Sequence, residues 1–382
     1  MYRAFINGRL LASDGTARRR TVLVHGPTID AVQEPGAPIP ADAELVDLHD
    51  RLLLPGYIDT QVNGGGGVLF NDAPTVEGIA AIGRAHVAFG TTGFLPTLIS
   101  DDIEVIARAI AAVDAAIEAG VPGVLGIHIE GPFLNARRRG IHDARRLRVL
   151  EPAVLPLLAS LRGGRTLVTL APECTVPAVL RELSDAGVLL AAGHTDATCE
   201  QIEEALRHGL RGFTHLFNAM SPLTSREPGV VGAALLDPYS WCGLIVDGHH
   251  VDPRSLRVAL AAKSHERFML VSDAMPCVGT SATSFQLDGR TIHVRDGHCI
   301  DEAGTLAGTA LDMGRAVRNA VELLQLPVAD AVRMASEYPA EFLGLGASHG
   351  RIAPGYHADF VVADDGLQVV EVWQDGQRRA AA

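Results

Sequence analysis

Eight continuous apolar runs recur between residues 53 and 273, and most of the intervening sequence has helical character. The runs are LLPGYIDTQVN, GTTGFLPTLIS, VLGIHIEG, LVTLAPE, VLLAAGHT, GFTHLFN, WCGLIVDG and FMLVSDAM. They are solid rather than alternating, the pattern of strands covered on both faces. Between them, DDIEVIARAIAAVDAAIEAG places apolar residues at helical spacing and stops at Gly120. TCEQIEEALRHG starts at a capping residue, Thr198, and ends at Gly209. DPRSLRVALAAK carries Pro253 in its first turn. Eight strands with helices filling most of the gaps predict an α/β fold of the (β/α)8 TIM-barrel type. A doubly wound open sheet is the competing architecture.

Four runs stop at, or contain near their end, a residue with metal or proton chemistry: Glu130, His194, His215 and Asp273. These lie on the third, fifth, sixth and eighth strands. An open sheet places its site at one switch point, so this spread favours a closed barrel, where strand ends converge on one mouth.

The two ends of the chain differ from the middle. RAFINGRLL and RTVLVHGPTIDAVQ alternate apolar and polar residues around Asn7-Gly8 and Gly26-Pro27, which read as turns. GRIAPGYHADFVVADD and LQVVEVWQDGQR behave alike near the C-terminus. Each end is too short for its own core. The expectation is one small β-sandwich built from both, residues 1–52 and 348–382, around a catalytic barrel at 53–347. After the eighth run, Asp288-Gly289 and Asp296-Gly297 predict inserted hairpins.

A lone buried His is more often a hydrogen-bonded core residue than a ligand, and His128 illustrates that case. The combination is different. His194 and His215 end consecutive strands, and Glu130 ends a strand two places away. Two imidazoles and a carboxylate match a catalytic divalent site that leaves one position open. A strand-end Asp often caps the next helix, but Asp273 is followed by Ala-Met-Pro, a poor helix start. Its expected role is to take a proton from the attacking water and return it to the leaving group.

A formal net charge of −13 argues against a nucleic-acid or anionic-membrane surface. An anionic substrate must then be held by local cations. Five cysteines without a CxxC pair read as a reduced, cytoplasmic protein. No run reaches the length of a spanning helix, and the start lacks a signal-type apolar segment.

HIEGPF around Glu130, AGHTDAT around His194, THLFNAM around His215 and VSDAM around Asp273 resemble the amidohydrolase superfamily. Within it, PGYIDTQVNGGGGVLFND, NAMSPLTSREPG, DGHHVD and the closing GRIAPGYHADFVV are similar to the N-acetylglucosamine-6-phosphate deacetylase family. That resemblance implies a barrel with a β-sandwich from both termini. It implies hydrolysis of the N-acetyl group of N-acetyl-D-glucosamine 6-phosphate to the free amine and acetate, in amino-sugar catabolism. It also implies a homodimer whose site borrows a residue from the neighbouring subunit.

The same resemblance assigns His142, in RRRGIHDARR, to polarise the acetyl carbonyl; without it, His142 reads as exposed among arginines. Arg226 in SREPG and His250 in DGHHVD resemble the phosphate binders, with Arg226 acting across the dimer. His249 makes the second assignment ambiguous by one position, and alternation sends the two side chains opposite ways. Backbone at Asn218 and Ala219 is a further phosphate contact by resemblance. Many amidohydrolases carry His-x-His after the first strand and a carbamylated Lys after the fourth. Here Gln61-Val62-Asn63 stands at the first position, Ala-Pro-Glu ends the fourth, and Lys263 lies late in the barrel. Gln61 and Asn63 are assigned to substrate binding on this pattern. The expectation is one divalent ion per subunit, held by Glu130, His194 and His215. Zn²⁺ is the first expectation; Fe²⁺ and Mn²⁺ suit the same donors.

Gly64 to Gly67 lack the Lys and spacing of a P-loop and read as a tight turn. The arginine runs at 18–20 and 137–139 read as solvated faces. Two other substrate readings are deacetylation of N-acetylgalactosamine 6-phosphate and of an unphosphorylated N-acyl compound. A catalytically dead barrel used as a binding scaffold is the reading from another class, and the presence of all four polar strand ends weighs against it.

Overall fold

All eight apolar runs are strands in the computed structural model, which describes residues 1–11 and 15–381. The barrel strands are Tyr57–Val62, Thr91–Ile99, Gly126–Glu130, Arg165–Leu170, Leu189–Ala192, Leu210–Phe213, Trp241–Leu244 and Phe268–Leu270. They pair in sequence order, each parallel to the next. The open-sheet alternative is excluded, because strand order never reverses.

The first and eighth strands close the barrel by single contacts. Asp273 N donates to Gln61 O at 3.0 Å, and Asn63 N donates to Ala274 O at 2.9 Å. Asp59, fully buried, reinforces this seam: its Oδ1 accepts from Gln61 N at 3.1 Å and Ser272 N at 3.2 Å. Its Oδ2 has no partner. Burial therefore pushes the Asp59 carboxyl up to about 7. A carboxyl raised on folding favours the native state most below its unfolded value near 3.8, and that contribution fades as pH rises to about 7. Asp59→Asn is expected to gain stability relative to the parent as pH goes from 4 to 8, by on the order of 4 kcal/mol if the whole shift is realised. Thermal unfolding of both proteins across that range checks it; parallel curves remove Asp59 from this role.

The helices form where the periodicity places them. Ile103–Glu118 buries Ile106, Ala109, Ile110 and Val113, one stripe at helical spacing, against the strands. Two residues beyond the helix, Gly120 takes the left-handed φ of +69° that turns the chain. Cys199–Arg207 opens on a capping box between Thr198 and Gln201. Among the described residues no helix is long and apolar enough to cross a membrane.

Both termini contribute to one eight-stranded mixed sheet, as expected. From one edge its strands run Gln377–Ala381, Val369–Gln374, Phe360–Ala363, Leu52–Pro55, Tyr2–Leu11, Ala17–His25 and Thr28–Gln33, with Glu44–Asp47 also paired to Tyr2–Leu11. Its separate core centres on Phe5, which meets Phe360 and Trp373 edge-on at 5.1 and 4.8 Å. Gly26-Pro27 is the expected turn. Asn7-Gly8 is not: Asn7 has φ of 58° inside a continuous strand whose register shifts between Phe5 and Gly8, a β-bulge.

After the eighth barrel strand, Ser284–Leu287, Arg290–Arg295, His298–Ile300 and Leu306–Thr309 form an inserted four-stranded antiparallel sheet. Its Asp-Gly pairs take left-handed φ at both residues, as two-residue hairpins require.

Candidate metal centre and active site

The polar residues that end the barrel strands converge at their C-terminal mouth, in a cavity of about 330 Å³. Glu130 ends the third strand directly. His194, His215 and Asp273 lie just past their strands with φ of 51°, 34° and 52°. Left-handed conformations at non-glycine residues cost on the order of 1–3 kcal/mol each, and they concentrate at functional sites.

Glu130, His194 and His215 are buried, and each offers one ligand atom within 4.8 Å of the others. His194 Nε2 and His215 Nε2 lie 3.2 and 3.0 Å from Glu130 Oε1, and 3.1 Å from each other. His194 Nδ1 sits 2.9 Å from the Arg138 carbonyl oxygen, which can only accept. Nδ1 therefore carries the proton and Nε2 presents a lone pair to Glu130. Lone pairs converging on one point call for positive charge between them. Around a tetrahedral ion with bonds of about 2.0–2.1 Å, ligand atoms sit about 3.3 Å apart, so this donor set fits a single divalent cation. The three residues form a mononuclear divalent-metal site. Lys263 takes no part: its ammonium donates to Ala234 O and Ser240 Oγ, at 2.8 and 2.9 Å.

Asp273 lines the same cavity. Its Oδ1 accepts from Gln61 Nε2 at 3.0 Å and Asn63 Nδ2 at 2.7 Å. Gln61 Nε2 also donates to Glu130 Oε2 at 3.2 Å. One amide thus ties the metal carboxylate to the free one. Burial, and then the charge of Glu130, push the Asp273 carboxyl up to about 6. Asn63 lines the cavity, and its Oδ1 is buried without a partner.

His142 is buried, not exposed among arginines. Its Nδ1 accepts from Ser100 N at 3.3 Å and lies 2.8 Å from Ser100 Oγ. Burial, and then the His194 imidazole, lower its pKa to about 3. His142 is therefore neutral with its proton on Nε2, a hydrogen-bond donor without a charge. Its ring meets His194 at 4.4 Å.

His250 lines the cavity while His249 faces outward against His298; the two lie in a bend beyond the strand Trp241–Leu244, so the expected alternation does not apply, and the turn around Asp247 separates them. Asn218 and Ala219 also line it. Arg226 does not; it is exposed, on the loop before the helix Gly229–Leu236. The arginine run 137–139 is more than a solvated face. Arg137 and Arg138 line the cavity mouth, and Arg138 pairs with Asp196 at 2.8 Å. His128 is the core residue expected, held between Thr97 and Thr169 at 3.2 and 2.8 Å. Gly64 belongs to a tight hairpin where a Cβ would lie 2.4 Å from Val68 O, so only glycine fits.

Three supporting residues were not picked out from the sequence. Asp247 Oδ2 sits 2.6 Å from His250 Nδ1, while its Oδ1 accepts from the amides of His249 and His250. Ser100 sets the His142 tautomer. Glu173 accepts from Thr195 Oγ1 at 2.5 Å, Asp196 N at 2.7 Å and Asn135 Nδ2 at 2.8 Å, holding the turn after His194. Asp247 had a local signal, a carboxylate three residues before His250. Ser100 and Glu173 act through contacts distant in sequence.

A closed barrel with a Glu-His-His metal site and a free carboxylate beside it defines a metal-dependent hydrolase. The chain belongs to the amidohydrolase family, whose model matches residues 52–379. It is 45% identical over 339 residues to an N-acetylgalactosamine-6-phosphate deacetylase of Shewanella sp. (strain ANA-3), covering 88% of this chain and 85% of the relative. It is 33% identical to an N-acetylglucosamine-6-phosphate deacetylase of Haemophilus influenzae, covering 98% of each. The crystal structure of N-acetylglucosamine-6-phosphate deacetylase from Pasteurella multocida superimposes with a TM-score of 0.95 at 31% identity, covering all of both chains.

Proposed function

We propose that this enzyme hydrolyses the acetamide of N-acetyl-D-glucosamine 6-phosphate, yielding D-glucosamine 6-phosphate and acetate. The observation that carries the reading is the placement of Asp273, neutral His142 and the metal ligands around one cavity. Relatives at 33–45% identity are named for deacetylating this substrate or its galactosamine counterpart.

A divalent cation held by Glu130, His194 and His215 supplies Lewis-acid chemistry, lowering the pKa of water and polarising the carbonyl. Zn²⁺ is the ion we propose, with Fe²⁺ and Mn²⁺ as alternatives that metal analysis separates. Asp273 takes one proton from the attacking water, whose oxygen adds to the acetyl carbon. His142 Nε2–H donates to the carbonyl oxygen as negative charge develops there, without bringing a competing positive charge to the metal site. Asp273 then passes its proton to the nitrogen as the C–N bond breaks, so the amine leaves neutral. Gln61 and Asn63 hold the Asp273 carboxylate by Oδ1 and leave Oδ2 for the proton; Asn63 Oδ1 remains as an acceptor for substrate.

His250 and the backbone at Asn218 and Ala219 receive the phosphate. Arg226, exposed and outside its own cavity, serves a partner subunit in a homodimer. Asp247 steadies His250 by holding its Nδ1, which fixes the ring's orientation toward the cavity. Asp247→Asn is expected to raise KM for the phosphorylated sugar by about tenfold, with kcat within a few-fold, the loss of one charge-assisted contact. Steady-state kinetics check it; a fall in kcat at constant KM overturns the assignment.

The 45% identity to a galactosamine-type deacetylase favours a second reading, N-acetylgalactosamine 6-phosphate as the preferred epimer. Acetate release from both phosphates and from plain N-acetylglucosamine decides. The proposal expects the glucosamine phosphate to have the highest kcat/KM and the plain sugar to lose at least about a hundredfold, as for a lost charged anchor. A higher kcat/KM for the galactosamine phosphate establishes the second reading, and equal use of the plain sugar ends both.

A further inference from the structure

A second cavity, of about 350 Å³, lies at the opposite end of the barrel. It is bounded by the helix Val76–Val87, the start of the strand Thr91–Ile99, the loop before the next strand, and the C-terminal strands. Thr91 begins a nine-residue strand whose far end leads to Ser100, beneath His142. Phe94 lines this cavity and Ile99 the active-site one, so at about 3.3 Å per residue the two are on the order of 15 Å apart along the strand, and they share no lining residue.

Its walls are mixed in a particular way. Val87, Phe94 and Val121 supply apolar surface. Arg84, in the last turn of the helix, and Arg379, on the final strand, supply two guanidinium groups. Among the described residues neither has an ion pair or a hydrogen bond, although most other arginines of this acidic protein are paired. Asp359 and Asp375 feel the charge of Arg379, but each is committed elsewhere. Asp375 faces His357 Nδ1 at 3.0 Å, and Asp359 accepts from Asp375 N at 2.8 Å.

We propose that this cavity binds a small organic phosphate monoester, with Arg84 and Arg379 gripping the phosphate and the apolar wall receiving the organic part. Guanidinium forks match phosphate oxygens two at a time. The volume falls in the range of small-ligand sites. A long polyanion is disfavoured by the net charge of −13.

Calorimetric titration of the intact protein with phenyl phosphate and with inorganic phosphate tests this at fixed ionic strength. The wild type is expected to show a phenyl phosphate binding event that the double variant Arg84→Ala/Arg379→Ala loses, with about tenfold weakening for either single variant. Both side chains are exposed, so the unfolding temperature should not change, and this controls for folding. Phenyl phosphate should bind the site at least about tenfold more tightly than inorganic phosphate, because only the ester fills the apolar wall. A double variant that binds phenyl phosphate as the wild type does overturns the site. Equal affinity for the two probes overturns the organic ligand class. Neither outcome touches the deacetylase reading, which acetate release tests separately.

Discussion

Asp273→Asn is expected to lower kcat by about 10²–10⁴-fold, the range that a positioned acid–base group supplies, while the protein keeps its metal and its affinity for substrate. The amide is nearly isosteric with the carboxylate, and its oxygen can still accept from Gln61 and Asn63. What it lacks is a basic oxygen for the proton. Both halves of the reaction need that oxygen: water must lose a proton before attack, and an amine is a poor leaving group until it gains one. Asp273 lines the cavity beside the Glu130–His194–His215 cluster, and nothing else there is as well placed for both transfers. His142 cannot substitute, since its Nδ1 is engaged by Ser100 and its Nε2 already carries a proton. Single-turnover kinetics on protein of known metal content isolate the chemical step. An Asn variant turning over at near the parental rate would remove Asp273 from the mechanism.

Glu130→Gln is expected to produce the other large loss. The amide keeps the size and the contact with Gln61, but it brings no negative charge to the two imidazoles. Partners outside the ligand shell typically change metal affinity by 10–100-fold when lost, so removing a direct ligand is expected to exceed about 100-fold. Activity should fall with metal occupancy and recover only partly at high metal concentration. Elemental analysis should find one ion per chain in the parent and much less than one in the variant after dialysis. Treatment of the parent with a chelator should abolish acetate release, and adding back Zn²⁺, Fe²⁺ or Mn²⁺ should restore it. Two tightly held ions per fully active parent chain would contradict the single-site geometry.

Much of the fold was legible because its signals are local. Solid apolar runs mark buried strands whatever their partners. Gly120 and the Thr198–Gln201 box mark helix ends through bonds spanning a few residues. The metal ligands were legible for a related reason: in a parallel barrel every strand end reaches the same mouth, so residue type at a strand end is enough. Asn7-Gly8 shows the limit. The pair favours left-handed backbone in either a turn or a bulge. Only the pairing of its strand with Ala17–His25 and Leu52–Pro55 selects the bulge.

The site's fine chemistry was less legible. His142 sits among arginines in sequence, yet its burial and its proton position depend on Ser100, 42 residues away. The arginine run beside it reads as a charged surface, while the Arg138 carbonyl sets the proton of His194. Gln61 and Asn63 could be recognised as replacing metal-binding histidines, but not as the clamp that joins Glu130 to Asp273.

By itself, then, the amino-acid sequence determined the barrel, the union of the two termini and the identity of the metal ligands, because apolar runs and strand-end chemistry are properties of short segments. The tertiary structure alone decided which nitrogen of His142 and of His194 holds a proton, which carboxylate stays free, and that Arg226 lies outside its own cavity. Those outcomes depend on burial and on hydrogen-bond partners tens to hundreds of residues apart, and three-dimensional packing brings such partners together.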